Sequence, residues 1–396
     1  MSPAVYLKPG REKSLRRRHP WIFSGAIERI EGDPEPGATL PVLGHGGEFL
    51  AQAAYSPASQ IRLRVWSFDA AANIDAAFIG QRLEQAVEAR RAAGLLDAAG
   101  ACRLVFAESD RLPGLIVDRY GDYLVCQFLT AGIEPWRETV IEQLTRLFEP
   151  QGIYERSEVG MRRKEGLASR RGLVAGNAPP PRLEIEIDGL GQFIDIEHGQ
   201  KTGAYLDQRL NRRRVASYAP GKRVLDAYAY TGGFGLSCLL AGASEASFLD
   251  SSAPALEAAA AQAEHNGLTE RCRYIEADVP GELRTLTARG ERFDLIVLDP
   301  PKFVHTAQQI NAGCRAYKDI NRLAFELLNP GGVLASFSCS GHVDLPLLQK
   351  VIAGAALDAG RDAQIVERLG QPADHPVGLH FPESEYLKGL ILRADG

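Results

Sequence analysis

Residues 222–250, KRVLDAYAYTGGFGLSCLLAGASEASFLD, decide the fold of this chain. An apolar run ends at Asp226, a glycine-rich turn and an apolar helix-forming stretch follow, and a second apolar run ends at Asp250. Short apolar runs bounded by turn residues are typical of buried strands, and two strands joined by a helix pair in parallel. The segment therefore predicts one β-α-β unit of a parallel sheet.

The same alternation continues along the rest of the chain. Strands are predicted at 222–230, 245–250, 272–278, 293–301 and 331–340. Helices are predicted at 232–243, 252–268, 281–290, 314–328 and 345–360. This pattern indicates an α/β fold with a Rossmann-like sheet, in which helices cover both faces and ligands bind outside the carboxyl ends of the strands.

The chain before this sheet divides into two further domains. Residues 1–70 contain short strand-like runs between proline and glycine turns, which predict a small β-rich domain. Residues 71–182 combine a linking helix at 75–96 with a central α+β domain that ends in the proline-rich run 175–182. Its other elements are strands at 102–108, 114–129 and 152–157 and a helix at 134–148. The third domain, 183–396, opens with a predicted β-hairpin.

Composition narrows the class of protein. With 396 residues, 45% of them hydrophobic, and a net charge of −5, the chain can form several packed cores and is not uniformly basic. Six scattered cysteines include no CxxC pair, so no metal site is predicted. No signal-like start and no apolar run of ~18 residues occur, so we expect a soluble, cytoplasmic protein with reduced thiols.

Two segments are basic against this acidic background. Residues 8–29 carry seven lysines and arginines against two glutamates, and residues 156–171 carry six against two. Such patches either bind a polyanion such as RNA or form a solvated surface, and the counts alone leave both alternatives open.

Acidic residues mark the ends of four predicted strands. Asp226 precedes the turn YTGGFG, Asp250 ends the second strand and Asp278 the third. Glycines let a ligand approach the backbone, and an acid at the second strand end binds the ribose of a nucleoside cofactor. Capping of the following helix is the alternative for each acid taken alone. The fourth strand ends in LDPPK at Asp299, which disfavours a nucleotide dehydrogenase because that chemistry does not need an Asp-Pro-Pro turn.

Six motifs together carry a resemblance to a known family. They are GQKTGAYLDQR at 199–209, YTGGFG at 230–235, DPPKF at 299–303, CRAYKDIN at 314–321, FSCSG at 337–341 and YLKGL at 386–390. The chain resembles the class I S-adenosylmethionine-dependent methyltransferases and, over its whole length, the large-subunit ribosomal RNA cytosine-5 methyltransferases. The resemblance implies an N-terminal PUA domain, a central α+β domain and a C-terminal methyltransferase domain. It also implies S-adenosylmethionine as cofactor and large-subunit (23S) ribosomal RNA as substrate, and it is compatible with a homodimer.

The resemblance also locates the cofactor. In relatives the GQKTGAYLDQR loop borders S-adenosylmethionine, whereas its residues alone indicate either helix capping or ligand binding. With the strand ends, it implies these cofactor-binding residues: Gln200, Thr202, Tyr205, Asp207, Gln208, Asp226, Tyr230, Thr231, Gly232, Gly233, Asp250, Ser251, Asp278, Val279 and Asp299.

Cys339 follows the fifth predicted strand and is the predicted nucleophile. Carbon 5 of a pyrimidine becomes nucleophilic once a thiolate has added to carbon 6, so methylation there requires a cysteine. Asp299 is predicted to hydrogen-bond the cytosine, and Lys302 to favour the thiolate because a neighbouring cation lowers a thiol pKa. Core packing is the alternative for Cys339, and it is the prediction for the other cysteines, Cys102, Cys126, Cys238, Cys272 and Cys314.

RNA contacts are predicted in the first and third domains. An unstacked base needs aromatic partners, and the candidates, with core packing as the alternative, are Phe303, Tyr317 and Phe381. Arg315 and Lys318 share one helix face and are candidates for phosphate or base contact, with a surface ion pair as the alternative. Phosphate contacts are expected from the basic residues of the PUA-like segment, Lys8, Arg11, Arg16, Arg17 and Arg18.

Two other functions fit part of this pattern. An enzyme that methylates a purine nitrogen of ribosomal RNA would share the fold but leave Cys339 idle. A non-catalytic RNA-binding assembly factor would keep the fold without the chemistry, which the intact YTGGFG, DPPKF and FSCSG motifs disfavour.

Overall fold

The computed structural model of the chain describes residues 3–97, 100–158 and 160–395. The chain forms two compact units. The first comprises residues 1–185, 194–206 and 373–384, and the second comprises residues 186–193, 207–372 and 385–396. Sheets of six and five strands lie in the first unit, and a seven-stranded sheet lies in the second.

The six-stranded sheet forms the N-terminal part of the first unit. Its elements are β1 Ala4–Leu7, α1 Lys13–Arg16, β2 Trp21–Phe23, β3 Ile27–Glu31, β4 Thr39–Leu43, β5 Phe49–Tyr55 and β6 Ile61–Ser67. The strand order is β2-β6-β5-β4-β1-β3. Val5, Val42 and Leu63 are wholly buried, because alternate residues of a strand point to the core. The predicted β-rich N-terminal fold is confirmed.

The five-stranded sheet follows in the chain. Its elements are α2 Ala76–Ala92, β7 Ala101–Phe106, β8 Leu115–Tyr120, β9 Tyr123–Phe128, α3 Arg137–Phe148, β10 Gly152–Ser157, α4 Gly160–Lys164 and β11 Arg170–Gly176. The strand order is β11-β10-β9-β8-β7. Helix α2 begins at Asp75, whose side chain accepts a hydrogen bond from the Phe78 amide at 2.9 Å. The α+β prediction is confirmed, although β11 was not predicted because its exposed arginines read as surface.

The predicted hairpin and the large sheet complete the chain. The hairpin strands are β12 Leu183–Ile187 and β13 Leu190–Ile194. The remaining elements are α5 Arg209–Ala216, β14 Arg223–Ala227, α6 Gly233–Leu240, β15 Glu245–Asp250, α7 Ala253–His265, β16 Cys272–Glu276, α8 Val279–Ala288, β17 Phe293–Leu298, α9 Ile310–Leu327, β18 Leu328–Ser338, α10 Leu345–Asp358, β19 Ala363–Gly370 and β20 Lys388–Ala394.

The large sheet has the order β16-β15-β14-β17-β18-β20-β19. Strands β14 to β18 pair in parallel, as predicted, whereas β20 pairs antiparallel with β18 and β19. Leu225 of β14 belongs to the same buried apolar cluster as Phe325 of α9, and Val224 belongs to a second cluster with Leu236 of α6. Both faces are covered by helices, which explains why these strands are almost continuously apolar.

Two segments of the predicted third domain lie in the first unit. Residues 194–206 and 373–384 supply hydrogen bonds to buried charged groups there. Thr202 donates to Asp118 at 2.6 Å, and Arg90 donates to the Asp374 carbonyl at 2.8 Å. Buried charges need such partners, which is a physical reason for these segments to pack within the first unit.

Candidate functional site

The large sheet has a topological switch point at β14 and β17. These strands are neighbours, with Ala227 opposite Leu298, but the chain continues from β14 to one side of the sheet and from β17 to the other. The connections leave the carboxyl ends of the two strands in opposite directions and open a crevice there. Asp299 follows β17 at this edge, and its amide donates to the Ala227 carbonyl at 3.4 Å.

The turn after β14 has an unusual backbone. Tyr228 and Tyr230 adopt positive φ angles of 64° and 49°, in a region that disfavours bulky residues. The turn is held by Asp250, which accepts a hydrogen bond from the Tyr230 amide at 2.8 Å. At Gly235 a side chain would clash, since an added Cβ would lie 2.3 Å from the Phe248 ring. Strain fixed by its surroundings in this way is common at binding sites.

Asp226 lies beneath the turn and is almost completely buried. Its carboxylate accepts a hydrogen bond from the Gly235 amide at 2.8 Å, so it supports the start of α6. Burial raises the pKa of Asp226 to about 8, aided by the nearby charge of Asp299 and opposed by the Gly235 amide and Arg212. The protonated form of this side chain is therefore favoured well above the pH at which an exposed aspartate ionises.

The other strand ends divide between capping and crevice positions. Asp250 is partly exposed and also accepts from the Ser252 amide at 3.0 Å, while Ser251 is exposed. Asp278 caps α8 through the Gly281 amide at 3.0 Å, which is the capping alternative raised by the sequence. Val279 is 3% exposed and packs in the apolar core, so its side chain does not fit the cofactor-binding prediction.

The turn itself offers groups to a ligand. Tyr230 and Thr231 are partly exposed at the carboxyl edge of the sheet. Gly232 has a φ of +80° and packs against Phe248, which explains why glycine is needed there. Gly233 is the first residue of α6, where free amides point outward.

The GQKTGAYLDQR loop is more structural than predicted. Its first half lies in the first unit, where Thr202 is wholly buried and bonded to Asp118, so this side chain does not fit the predicted cofactor contact. In the same unit Tyr205 donates to the exposed Gln200. In the second unit, Tyr386 donates to Asp207 at 2.6 Å and Asn211 donates to Gln208 at 2.6 Å.

Arg212 of α5 faces the crevice and was not predicted. An added Cβ on Gly233 would lie 2.6 Å from its Nε atom, so the guanidinium lies against the first turn of α6. This Nε is buried and has no hydrogen-bond partner among the described residues. Burial lowers the pKa of Arg212, while the charges of Asp207, Asp299 and Asp226 act in the opposite direction. Arginine remains charged in such surroundings, so a cation faces several carboxyl groups here.

Cys339 follows the last residue of β18. The residues on either side of it, Ser338 and Ser340, are wholly buried and turn towards the hydroxyl of Tyr317. Ser338 donates to that hydroxyl at 2.9 Å, and the Ser340 hydroxyl lies 3.1 Å from it. The Ser340 hydroxyl also accepts from the Val304 amide at 3.3 Å. Cys339 itself is partly exposed, so the core-packing alternative does not describe it.

The two groups predicted to assist the thiol are placed differently from each other. Asp299 is partly exposed at the end of β17, on the strand adjacent to β18. Lys302 is exposed to solvent three residues later. A second lysine, Lys388 of β20, is 5% exposed and donates to the Ser340 carbonyl at 2.8 Å. Lys388 lies in the YLKGL motif, but its place beside Cys339 was not predicted, because only strand pairing brings β20 to β18.

The aromatic candidates are mostly core residues. Tyr317 is wholly buried, so its ring does not fit the predicted stacking on a base. Phe303 is partly exposed and packs on Tyr317, with ring centroids 4.8 Å apart. Phe381 lies in the first unit, 4.6 Å from the ring of Trp21. On α9, Arg315 is exposed, whereas Lys318 is paired with Asp358 at 2.7 Å.

The predicted phosphate-binding residues of the first domain are all exposed, although several have partners. Lys8 donates to the Gly25 carbonyl at 3.1 Å and Arg16 pairs with Glu48 at 2.5 Å. The Arg18 guanidinium lies 5.4 Å from the centre of the Phe68 ring. Arg11 lines a pocket of about 410 Å³ together with Lys13, Trp21 and Phe23, and Arg17 is exposed outside this lining.

The second basic segment is divided between two buried arginines and four exposed basic residues. Arg156 donates to the Ile196 carbonyl at 2.7 Å, and Arg162, 1% exposed, pairs with Glu134 at 2.7 Å. These two arginines stabilise the first unit, whereas the other four basic residues are exposed: Arg163, Lys164, Arg170 and Arg171.

Among the described residues the remaining cysteines form no disulfide, and burial raises the pKa of four of their thiols. Cys102, Cys126 and Cys238 are buried, whereas Cys272 and Cys314 are partly exposed. Among residues 3–97, 100–158 and 160–395, no three histidine, cysteine or acidic side chains are grouped as metal ligands would be. In the same ranges, no helix has the length and apolarity needed to cross a membrane.

Known proteins resemble this chain along its full length. A PUA-like domain family matches residues 5–68, and a family of S-adenosylmethionine-dependent methyltransferases matches residues 168–393. A relative named ribosomal RNA large subunit methyltransferase I, from Aeromonas salmonicida (strain A449), is 50% identical over 395 residues, covering 100% of both chains. A protein of the same name from Escherichia coli O139:H28 is 49% identical over 394 residues, covering 99% of this chain and 100% of its own.

Solved structures share the fold. A putative S-adenosylmethionine-dependent methyltransferase from Streptococcus mutans superimposes with a TM-score of 0.84 at 19% identity. A crystal structure of a putative methyltransferase complexed with SAH gives 0.86 at 19% identity. Each comparison covers 98% of this chain and 99% of the other. These likenesses confirm the predicted fold class.

Proposed function

Because this chain belongs to the ribosomal RNA large subunit methyltransferase I family of S-adenosylmethionine-dependent enzymes, we propose that it forms 5-methylcytosine in large-subunit ribosomal RNA. The proposed reaction proceeds through a covalent bond between Cys339 and carbon 6 of the cytosine. The observation that carries this proposal is the partly exposed thiol after β18, the neighbour of strand β17, which Asp299 follows.

The crevice has the chemical groups that S-adenosylmethionine requires. The cofactor has a cationic sulfonium, an ammonium, a carboxylate, a ribose and an adenine. Asp250 and Asp299 would supply acceptors for its hydroxyl and ammonium groups, and Arg212 would supply a cation for its carboxylate. The Tyr228 hydroxyl is buried without a hydrogen-bond partner among the described residues, so a polar ligand would satisfy it. When bound, the cofactor supplies an electrophilic methyl group.

The nature of the acceptor atom decides the role of the thiol. An exocyclic amine can attack a methyl group directly, whereas carbon 5 of cytosine lacks the necessary electron density. When the Cys339 thiolate adds to carbon 6, the electrons of the 5,6 double bond move to carbon 5, which can then accept the methyl group. Loss of the proton from carbon 5 and cleavage of the carbon–sulfur bond restore the ring and the thiolate.

The other residues act on the cytosine or on the thiol. Asp299 would hydrogen-bond the amino edge of the base and so hold the ring against the thiol. Ser338, Ser340 and Tyr317 fix the backbone on both sides of Cys339. The basic and aromatic groups of the N-terminal sheet would hold the RNA through its phosphates, so binding is expected to weaken as salt increases.

Two measurements test the proposal, both on ribosomal RNA from a strain that lacks the gene for this protein. The purified protein should transfer labelled methyl groups from S-adenosylmethionine to this RNA, and bisulfite sequencing should then show one newly protected cytosine. Cys339→Ala should abolish transfer, whereas Cys314→Ala, which changes a partly exposed thiol on α9, should retain it. Full activity of Cys339→Ala would refute the covalent step, and transfer to a purine would refute the choice of base.

An RNA containing 5-fluorocytosine tests the adduct itself. Fluorine at carbon 5 cannot leave as a proton, so the bond to Cys339 should persist and survive denaturing electrophoresis. The adduct should be absent with Cys339→Ala and present with Cys314→Ala.

A further inference from the structure

Lys388 is a buried lysine whose position calls for an explanation. It is the first residue of β20 and lies opposite Ser338 of β18. The residue is only 5% exposed, although an ammonium group is costly to remove from water. Its Nζ donates to the carbonyls of Ser340 and Tyr386, both at 2.8 Å. These two neutral acceptors use two of the three protons and do not balance the charge.

The charged surroundings of Lys388 point to Cys339 as its partner. Burial lowers the pKa of Lys388, and the interaction with Cys339 is the main one that raises it again. Glu385 and Asp344 act in the same direction as Cys339, and Lys302 acts against them. Asp344 is already engaged as the cap of α10, where it accepts from the Leu347 amide at 2.8 Å. From α9, the Tyr317 hydroxyl reaches the serines on both sides of the thiol.

We propose that Lys388 is a positioning residue that holds a fixed positive charge beside Cys339 and so keeps its thiol ionised. In this proposal the thiolate is favoured by Lys388 of β20 and not, as the sequence predicted, by Lys302. Lys302 is exposed, so water and salt screen its charge, whereas the charge of Lys388 acts through the protein interior. Ionisation releases the thiol proton to solvent, and no other bond changes.

The inference rests on the proposed function, in which Cys339 acts as a thiolate. It can be tested separately, because the reactivity of the thiol requires neither cofactor nor RNA. If methylation of cytosine were disproved, the measurement below would still show whether Lys388 activates this cysteine.

The test is the rate of iodoacetamide alkylation of each cysteine between pH 5.5 and 10, read by mass spectrometry of tryptic peptides. Residues 323–350 form one such peptide with Cys339 as its single cysteine, and residues 303–315 contain only Cys314. Cys314 therefore serves as an internal control in every sample. The midpoint of the pH profile reports ionisation of the thiol, while the plateau at high pH reports its accessibility.

Four variants separate charge from structure. In the unmodified chain the Cys339 midpoint should lie below the ~8.5 of a free thiol. Lys388→Gln keeps two N–H donors but removes the charge, and it should raise the midpoint by about one pH unit, a tenfold loss of thiolate near neutral pH. Lys388→Arg should keep the low midpoint, and Lys302→Gln should leave it within about 0.3 units. Lys350→Gln, an exposed lysine on α10, is the matched control.

The outcomes distinguish the possible roles. If Lys388 served only to hold the loop, Lys388→Gln would change the plateau and leave the midpoint in place, which would overturn the inference. A larger shift of the midpoint with Lys302→Gln than with Lys388→Gln would show that Lys302, and not Lys388, favours the thiolate. A midpoint of 8.5 or higher in the unmodified chain would refute the inference without any variant, so the test does not depend on every variant folding.

Discussion

Replacing Tyr317 with phenylalanine separates two roles for this residue. The sequence suggested an aromatic ring that stacks on the target base, whereas the structure buries the ring and points its hydroxyl at Ser338 and Ser340. Tyr317→Phe keeps the ring and its packing on Phe303 and removes only the hydroxyl. A stacking role would therefore survive the change, and an orienting role would not.

The size of the effect follows from the hydrogen bonds. Ser338 loses the acceptor for its hydroxyl proton, while Ser340 keeps the bond from the Val304 amide. One buried donor left without a partner costs about 1–3 kcal/mol. If this cost lowers the free energy of local opening of the segment around Cys339 by the same amount, the protection of the segment's amides from hydrogen exchange should fall by roughly 5- to 150-fold.

Hydrogen exchange measured by NMR or mass spectrometry at the amides of Val304 and Ser340 is the appropriate assay. The three tryptophans, Trp21, Trp66 and Trp136, all lie in the first unit, so tryptophan fluorescence would not report on this region. The rate of methyl transfer at saturating RNA should fall together with the protection, while RNA affinity should stay within about twofold.

Tyr218→Phe is a matched control, because it removes the bond from a partly exposed tyrosine to Glu367, away from the thiol. It should leave both exchange at Ser340 and methyl transfer unchanged. The reasoning would be refuted if Tyr317→Phe lowered RNA affinity at least tenfold while exchange at Val304 and Ser340 stayed as in the unmodified chain.

Two further predictions concern the cofactor crevice. Arg212→Met should weaken binding of S-adenosylhomocysteine about tenfold or more in calorimetry, as expected for a lost charge-assisted hydrogen bond. The affinity for 5′-methylthioadenosine, which lacks the carboxylate, should stay within twofold. Arg213→Met, a change in an exposed neighbour, is the control, and equal losses of affinity for both ligands would contradict the assignment. Burial raises the pKa of Asp226 to about 8 from 3.8, so the folded chain binds a proton that the unfolded chain releases, and this contribution to stability is full at low pH and is lost as pH rises from about 4 to 8. Urea midpoints followed by circular dichroism should therefore decline less between pH 5 and 8 in Asp226→Asn than in the unmodified chain, and parallel curves would count against the raised pKa.

The parallel part of the large sheet could be predicted because each step of it is local in sequence. Asp226, Asp250 and Asp299 each end a short apolar run before a turn, and such runs are recognised without knowing what they pair with. The antiparallel strand β20 was missed because YLKGL is too short and too apolar to indicate its partner. Strand β11 was missed for a different reason, because its exposed arginines resemble those of a surface loop.

Long-range partners explain the errors among the site residues. Thr202 looks like a ligand-binding residue within GQKTGAYLDQR, but its partner Asp118 lies 84 residues earlier, and Asp118 also pairs with Arg103 at 2.7 Å. Once a buried ion pair requires that hydroxyl, the side chain is no longer available to a ligand. No sequence pattern within the loop indicates that Thr202 bonds to Asp118.

The same principle governs the thiol, with a consequence for how the site could be altered. The FSCSG motif predicts Cys339 as the nucleophile, but the groups that we propose fix and charge it, Tyr317 and Lys388, belong to α9 and β20. Since β20 pairs with β18 through backbone hydrogen bonds, a one-residue slip of β20 would move Lys388 away from the Ser340 carbonyl without changing any residue of the motif. The reactivity of Cys339 should therefore depend on the register of a strand that begins 49 residues later in the chain. A chain with the nucleophile motif intact but β20 displaced would keep an accessible thiol and lose its ionisation near neutral pH.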